Sequence, residues 1–318
     1  MAKVVTPLEL RQRHGPLFAR RLITMVDERT GRARVLEECC AQGPVEWDAV
    51  NRLRAGGVVE HVEVQGTTLL MDTRIGEGEV RFGPASKETG GQALRSLVVR
   101  GGKVETTWMG LAGASVGVGA CLPQADGVEK AEFLSDEEVG GSRQVEIRIT
   151  TPLHRRLVLG IDDTDTKEKG ATWVLGLRLG REMPHAVFLT HKIVQLNPHA
   201  PQKTTNCAST ALAFAVLPEN VDIAVKWARQ FVAENTYSGE TVMASYEGLD
   251  VPATAVRYGA EAKDTILSIH DAEHAASKSG IAVHEVTGRR GVIGAVAAIG
   301  CVDLGLYSAG LPEDFRGV

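Results

Sequence analysis

Two β-type runs, residues 19–26 and 32–38, flank the turn-forming stretch Asp27-Glu28-Arg29-Thr30-Gly31, and this spacing predicts an antiparallel hairpin. Gly43-Pro44 opens an apolar-periodic run over 45–54 that Gly56-Gly57 closes. Proline near the start and glycine past the end predict a short helix there. Further β-type runs follow at 58–64, 67–75 and 79–82. The glycine-rich segment 110–119 interrupts this half, and 126–141 reads as an acidic loop or short helix.

The rhythm then changes. Strand-like 144–150 and 156–162 lead into alternating elements: helix 170–182, strand 186–195, helices 207–215 and 221–234, helix 271–279, strand 281–286 and helix 292–300. The acidic, glycine-containing stretch 135–142 is the candidate boundary, dividing the chain into 1–143 and 144–318. The expected class is α+β (mixed α/β), an N-terminal α+β domain of unassigned fold followed by a second module. Residues 291–311 are apolar enough to raise a membrane span, but their glycines and Asp303 favour a buried Gly/Ala helix followed by a turn and a strand.

Composition narrows the class. A length of 318 residues, with 43% hydrophobic and 24% charged, fits a globular chain of about two domains. Thirty-five Lys and Arg against 40 Asp and Glu give a net charge of −5, which argues against a whole-chain electrostatic grip on nucleic acid. Cys39, Cys40, Cys121, Cys207 and Cys301 form no C-x-x-C pair, and the N-terminal stretch lacks an apolar signal core. A soluble, reducing, cytoplasmic setting is expected.

Three segments carry candidate chemistry. In residues 155–173 an apolar run enters Asp162-Asp163-Thr164-Asp165. If the strand persists, alternation places Asp163 and Asp165 on one face and Asp162 on the other. Gathered carboxylates repel unless a cation sits among them, and hard oxygen donors suit Mg²⁺ held partly by substrate phosphates. An acidic turn capping the next helix fits the same spacing. In residues 196–207 two prolines stiffen a loop bringing Lys203, Thr204, Thr205 and Asn206 to a predicted helix start, a phosphate-favouring arrangement. Taken alone, that string is a capped helix after a rigid turn. In residues 284–300 a strand passes into Gly288-Arg289-Arg290-Gly291 and a small-residue helix, which can offer backbone N–H groups and two guanidinium groups to an anion, or form a solvated turn.

Weaker candidates have plainer readings. The 110–119 segment lacks the lysine and Ser/Thr of a P-loop and reads as tight packing. His270 and His274 share a helical face that a metal could use, although a solvated face is the commoner outcome. Cys39 and Cys40 point to opposite faces of a strand and read as apolar thiols. Glu240, Asp250 and Asp303 could complete the carboxylate site if the fold brings them near. Trp47, Trp108, Trp173 and Trp227 are scattered and form no stacking platform.

GIDDTD, the threonine seven residues after its last aspartate, LNPHAPQKT and GRRGVIGAVAAIG occur here in the same order as in the archaeal isoleucine-tRNA 2-agmatinylcytidine synthetases. Residues 155–305 resemble the kinase-like and ferredoxin-like portion of that family. The resemblance implies ATP and Mg²⁺ handled by Asp162, Asp163 and Asp165. It matches Thr172 to a phosphorylated threonine and puts Lys203 with the catalytic group. It implies nucleotide contacts from Thr164, Asn197, Thr204, Thr205, Arg289, Arg290 and Gly291. The family's loop after the lysine carries arginine, glycine and asparagine, whereas this one reads Thr204-Thr205-Asn206-Cys207. The resemblance, confined to residues 155–305, does not extend to the family's tRNA-holding OB-fold and zinc-ribbon regions, and so implies that RNA would be held by another subunit. With GLAGASVGVGACLPQADGVEKAEF ahead of the acidic motif, the whole arrangement is similar to the methanogenesis marker protein 11 family of methanogenic archaea.

The resulting expectation is a methanogenesis-associated protein with an ATP/Mg²⁺-dependent phosphotransferase-like module, of kinase or ligase type, acting on a protein or small-molecule acceptor. The alternatives are a non-catalytic nucleotide-binding assembly factor with a methanogenesis enzyme as partner, and an RNA-modifying enzyme whose RNA-binding subunit is separate. The net charge ranks RNA below the other acceptors, and no membrane partner is expected.

Overall fold

The structure, a computed structural model, describes residues 3–82 and 91–315. It is mixed α/β, and it divides into two compact units, Met1–His154 and Arg155–Val318. The division falls inside a strand, β10 (Gln144–Asp162), rather than at 143/144 ahead of it. The two runs expected at 144–150 and 156–162 are this one continuous strand.

The first unit begins with β1 (Lys3–Val5) and α1 (Pro7–His14), whose start is fixed by a Thr6–Glu9 capping box. The predicted hairpin is β2 (Ala19–Asp27) and β3 (Arg32–Cys39), and the proline-opened helix is α2 (Gln42–Arg54). β4 (Val59–Gln65) and β5 (Thr68–Arg74) extend that sheet through β3. The run expected at 79–82 contributes only an isolated bridge at Val80, and the short β6 (Gly76–Glu77) pairs instead with β7 (Gly91–Arg100). β7 and β8 (Lys103–Leu111) form a hairpin around Gly101-Gly102, both at positive φ, as a tight two-residue turn requires. The 110–119 segment contains the short α3 (Ala114–Val116), and a π-helical turn follows over Gly117–Cys121. Within 126–141 the structure has a strand, β9 (Lys130–Phe133), where a loop or helix was expected. Ala131 and Phe133 point into the core, a period-2 alternation that the surrounding acidic residues conceal. Cys39 is buried and Cys40 exposed.

In the second unit, residues 155–162 of β10 lie between β12 (Ala208–Val216) and β13 (Val242–Glu247). β11 (Ala186–Gln195) flanks β12, and β14 (Ala282–Glu285) flanks β13, all antiparallel. With α4 (Thr172–Glu182) after β10 and α5 (Val221–Asn235) after β12, the chain runs β-α-β-β-α-β with its first strand between its third and fourth, the ferredoxin-like order. One sheet face packs on α4 and α5 through Leu157, Leu159 and Ile161. The other packs on α6 (Ala253–Glu261), α7 (Ile269–Ser279) and α8 (Val292–Cys301), through Val158 and Gly160. A Cβ on Gly160 would stand 2.0 Å from Ala295 O, so glycine alone lets α8 lie this close to the strand.

Two expectations fail here for physical reasons. Residues 207–215 are not a helix but belong to the interior strand β12. Helices cover both faces of the sheet, so its alanine-rich run is continuously buried and lacks the alternation that marks a half-buried strand. After α8 the chain makes a turn and a 3₁₀ segment, Gly305–Ser308, and no strand among the described residues. Ser308 and Gly310 turn their carbonyls onto the buried Lys263 ammonium instead of a neighbouring strand (both 3.0 Å). Among the described residues no helix is long and apolar enough to cross a membrane.

Candidate functional site

β10 ends at Asp162, and the next residue, Asp163, turns the chain with φ +58°. The strand alternation anticipated for the three aspartates is therefore broken at its second member. Asp162 keeps the face of Val158 and Gly160 and packs against Gly294 in the first turn of α8, where a Cβ would overlap its carboxylate. Burial, reinforced by the charge of Asp163, holds the Asp162 carboxyl well above the usual carboxylate range.

Asp163 is held from three directions. Arg290 Nε donates to its Oδ2 (2.7 Å), Ser238 Oγ donates to its Oδ1 (2.9 Å), and Thr241 Oγ1 donates to its backbone carbonyl (2.6 Å). The Asp163 hydrogen bond is the main cause that raises the Arg290 pKa above its ordinary value. Glu240 Oε2 in turn accepts from the backbone N–H groups of Arg289 and Arg290 (3.2 and 3.1 Å), which lower its pKa and fix the turn carrying Arg290.

Asp165 leans the other way. Thr172 Oγ1, in the first turn of α4, and Thr204 Oγ1 each donate to its Oδ1 (3.4 Å). Burial raises its pKa against these two hydrogen bonds. The same Thr172 hydroxyl accepts from Thr164 N (3.3 Å) and Thr164 Oγ1 (3.1 Å), and Thr172 is only 5% exposed.

These groups line one cavity at the end of the sheet, of about 590 Å³ counting its solvent-open mouth, with Asp162, Asp163 and Asp165, Lys203, Thr204 and Asn206 from the 196–207 loop, Arg290 from the turn before α8, and Gly294 from α8. Lys203 Nζ, exposed, donates to Pro198 O (2.6 Å). Because the loop leads into β12, Lys203 and Thr204 do not sit at a helix start. The helix that opens on the cavity is α8, whose N-cap Gly291 makes no side-chain cap. A Cβ on Gly291 would lie 2.8 Å from Asp162 O and 2.9 Å from Glu240 O, so this turn needs glycine for its close approach.

Other candidates lie off the cavity. Asn197 is buried below the loop, its Oδ1 accepting from His199 N (2.9 Å), and so shapes the loop. Thr205 faces solvent, outside the lining. Arg289 pairs with Glu273 and Glu285 on the surface. Asp303 pairs with Arg156 (2.6 Å), away from the aspartates. Cys207 reaches the wall, but burial first and Asp162 second push its thiol up to about 11, which makes it a poor nucleophile. Ser238, Thr241 and Gly294 escaped the sequence reading. Only Gly294 left a signal, one helical turn after Gly291 and so on the same face.

Among the described residues no three His, Cys, Asp or Glu side chains converge as a ready-made metal cage. The donor set nonetheless suits a hard cation completed by ligand oxygens. Burial raises the pKa of two of these carboxyls, and Mg²⁺ characteristically takes one or two carboxylates with phosphate and water oxygens.

Residues 158–290 match the family model described as the TiaS TCKD domain. Over 299 residues, 93% of this chain and 97% of the relative, the sequence is 33% identical to a protein of Methanocaldococcus jannaschii described as uncharacterized protein MJ0921. It is 34% identical over 154 residues to the tRNA 2-agmatinylcytidine synthetases TiaS of Thermococcus sibiricus and Pyrococcus horikoshii, covering 46% and 45% of this chain. The chain spans only 35% of the length of those synthetases. A crystal structure of TiaS in complex with its tRNA and ATP is 26% identical over 46% of this chain and 36% of that one, with a TM-score of 0.39.

Proposed function

We propose, because this chain belongs to the family of the Methanocaldococcus jannaschii protein MJ0921 and matches the TiaS TCKD domain over residues 158–290, that the aspartate cavity binds ATP with Mg²⁺ for phosphoryl transfer. The supporting observation is the convergence of Asp162, Asp163, Asp165, Lys203, Thr204 and Arg290 on one cavity at the end of the central strand.

In this reading Asp162 and Asp165 would hold the cation together with phosphate oxygens, and the cation would supply charge neutralisation on those oxygens. Lys203 and Arg290 would be the cationic side chains of this cavity for developing negative charge. Asp163 acts as the positioning residue for Arg290. The Thr172 hydroxyl is buried and engaged on both sides, so we assign it to holding Asp165 in place rather than to accepting phosphate.

A second reading concerns the acceptor. Two of the relatives matched here, over 154 residues each, are named as tRNA 2-agmatinylcytidine synthetases, which is consistent with an RNA acceptor.

Calorimetric titration with a non-hydrolysable ATP analogue, with and without Mg²⁺, tests the reading. Mg²⁺-dependent binding that weakens at least about tenfold in Asp163→Asn and Lys203→Ala is expected, the scale of one lost charged hydrogen bond. Folded wild-type protein that binds no analogue overturns it. Binding without turnover on any acceptor supports a non-catalytic assembly role instead.

A further inference from the structure

The segment from Asp165 to Thr172 has a second side. Behind it lies another cavity, of about 720 Å³ counting its solvent-open mouth, lined among others by Lys169, Gly170, Ala171, Arg178, Asn235 and Tyr237. Gly170 is the wall between the two cavities: at φ +93°, a Cβ on it would stand 2.8 Å from Tyr237 Cδ2 and 3.1 Å from Asp165 Cβ.

The two sides differ in chemistry. The first combines three carboxylates with Lys203 and Arg290, whereas the described lining of the second carries Lys169 and Arg178 and no carboxylate. The Lys169 ammonium sits 4.1 Å over the Tyr237 ring and, among the described residues, has no carboxylate partner. Arg178 is held in place by the Phe231 ring (5.5 Å) and by Asn235 Oδ1 (3.3 Å), and its one ion pair, to Glu182 at 3.5 Å, is exposed. Asn235 is oriented by donating to Phe231 O (2.8 Å). Tyr237 is 51% exposed, with only the Lys169 ammonium over its ring among the described cations. α4 begins at this cavity with no side-chain cap on Ala171.

We infer that this second cavity binds a nucleotide, its base stacked on Tyr237 and its phosphate held by Lys169 and Arg178. A half-exposed aromatic ring beside two cations, one of them paired only with an exposed glutamate, is an arrangement that can stack a base and neutralise its phosphate. Without the open mouth the cavity holds about 340 Å³, at the lower end of the ~300–1,000 Å³ range of small-ligand pockets. A base on the ring displaces the Lys169 stem and leaves its ammonium free for the phosphate. The inference rests on the phosphoryl-transfer reading only for what the bound nucleotide is used for, not for whether it binds. Two sources share this chemistry: a residue of single-stranded RNA, and the nucleoside end of ATP.

The test uses the full chain, Tyr237→Leu, Tyr237→Phe, Arg178→Gln and Asp163→Asn, titrated with a single-stranded oligoribonucleotide of about ten residues, the ATP analogue, and inorganic phosphate. The expected result is oligoribonucleotide binding that falls about tenfold in Tyr237→Leu and Arg178→Gln but persists in Tyr237→Phe and Asp163→Asn. If instead the analogue weakens in both Tyr237→Leu and Asp163→Asn, the nucleoside of ATP is the occupant, and the nucleotide assignment stands. Should wild type bind the oligoribonucleotide through Tyr237 but not the analogue, the ATP reading fails and this one stands. Affinities unchanged by Tyr237→Leu for every probe, or inorganic phosphate binding as tightly as the oligoribonucleotide, overturn it.

Discussion

The Asp162 carboxylate fills the space that a side chain on Gly294 would need, since a Cβ there would lie 1.9 Å from Asp162 Oδ2. Alanine at 294 gains about 1 kcal/mol of helix propensity, but overpacking typically costs about 1–3 kcal/mol, so the overlap wins. Gly294→Ala is expected to lower Tm and to weaken Mg²⁺-dependent analogue binding. In an Asp162→Ala background the same change is expected to be neutral or stabilising. Thermal melts of the four proteins of this cycle read the coupling, and strictly additive effects would show that the two residues do not share the space.

Thr172 gives a sharper separation of roles. Its hydroxyl bridges Thr164 and Asp165 inside a buried turn. Thr172→Val leaves the Thr164 N–H without its acceptor, which costs about 1–3 kcal/mol, and frees Asp165 on one side. Thr172→Ser keeps the oxygen and is expected to stay within about 1 kcal/mol of wild type. A valine variant that melts and binds analogue like wild type would remove the positioning role.

What the sequence disclosed follows from where the physics is local. The Asp27–Gly31 hairpin and α2 were legible because turn residues and a proline start act over a few neighbours. The acidic cluster, Lys203 and Arg290 were legible as residue types, and the fold brings them onto one cavity. β12 was not legible, because burial on both faces erases the alternation that separates a strand from an alanine-rich helix. Nor was the orientation of the aspartates: the left-handed Asp163 is set by Arg290, Ser238 and Thr241, which lie 75 or more positions away. The β7–β8 hairpin escaped the sequence reading even though Gly101-Gly102 is a local turn signal of the ordinary kind.

In the first unit a buried network joins Arg52 to Glu37, Asp48 and Gln92, with the guanidinium 4.7 Å over the Trp108 ring. Burial pushes the Asp48 carboxyl up to about 7, Arg52 opposes the rise, and Glu37 adds to it. An unfolded aspartate titrates near ~3.9, so between that value and about 7 the folded state holds the proton more tightly. Stability is therefore expected to fall as pH rises through this window and to level off above it. Denaturant unfolding followed through Trp108, with Trp47, Trp173 and Trp227 replaced by phenylalanine, reads this unit. Asp48→Asn should flatten the dependence, and an unchanged slope in that variant would place the titration elsewhere.

Lys263 ties the end of the second unit to the cavity loop. Its ammonium, 1% exposed, donates to Gln195 O (2.9 Å), Ser308 O (3.0 Å) and Gly310 O (3.0 Å). Burial lowers its pKa, so the charge is retained at a cost that these three carbonyls offset. Lys263→Met keeps much of the volume but removes every donor, and hydrogen bonds from a charged group contribute about 1.5–3 kcal/mol each. The variant is expected to lose several kcal/mol, and its 305–315 segment to become the first site of limited proteolysis. Gln195 precedes Leu196 at the cavity wall, so analogue binding should weaken as well. A methionine variant with wild-type protease resistance and affinity would show that the tail is held by packing alone.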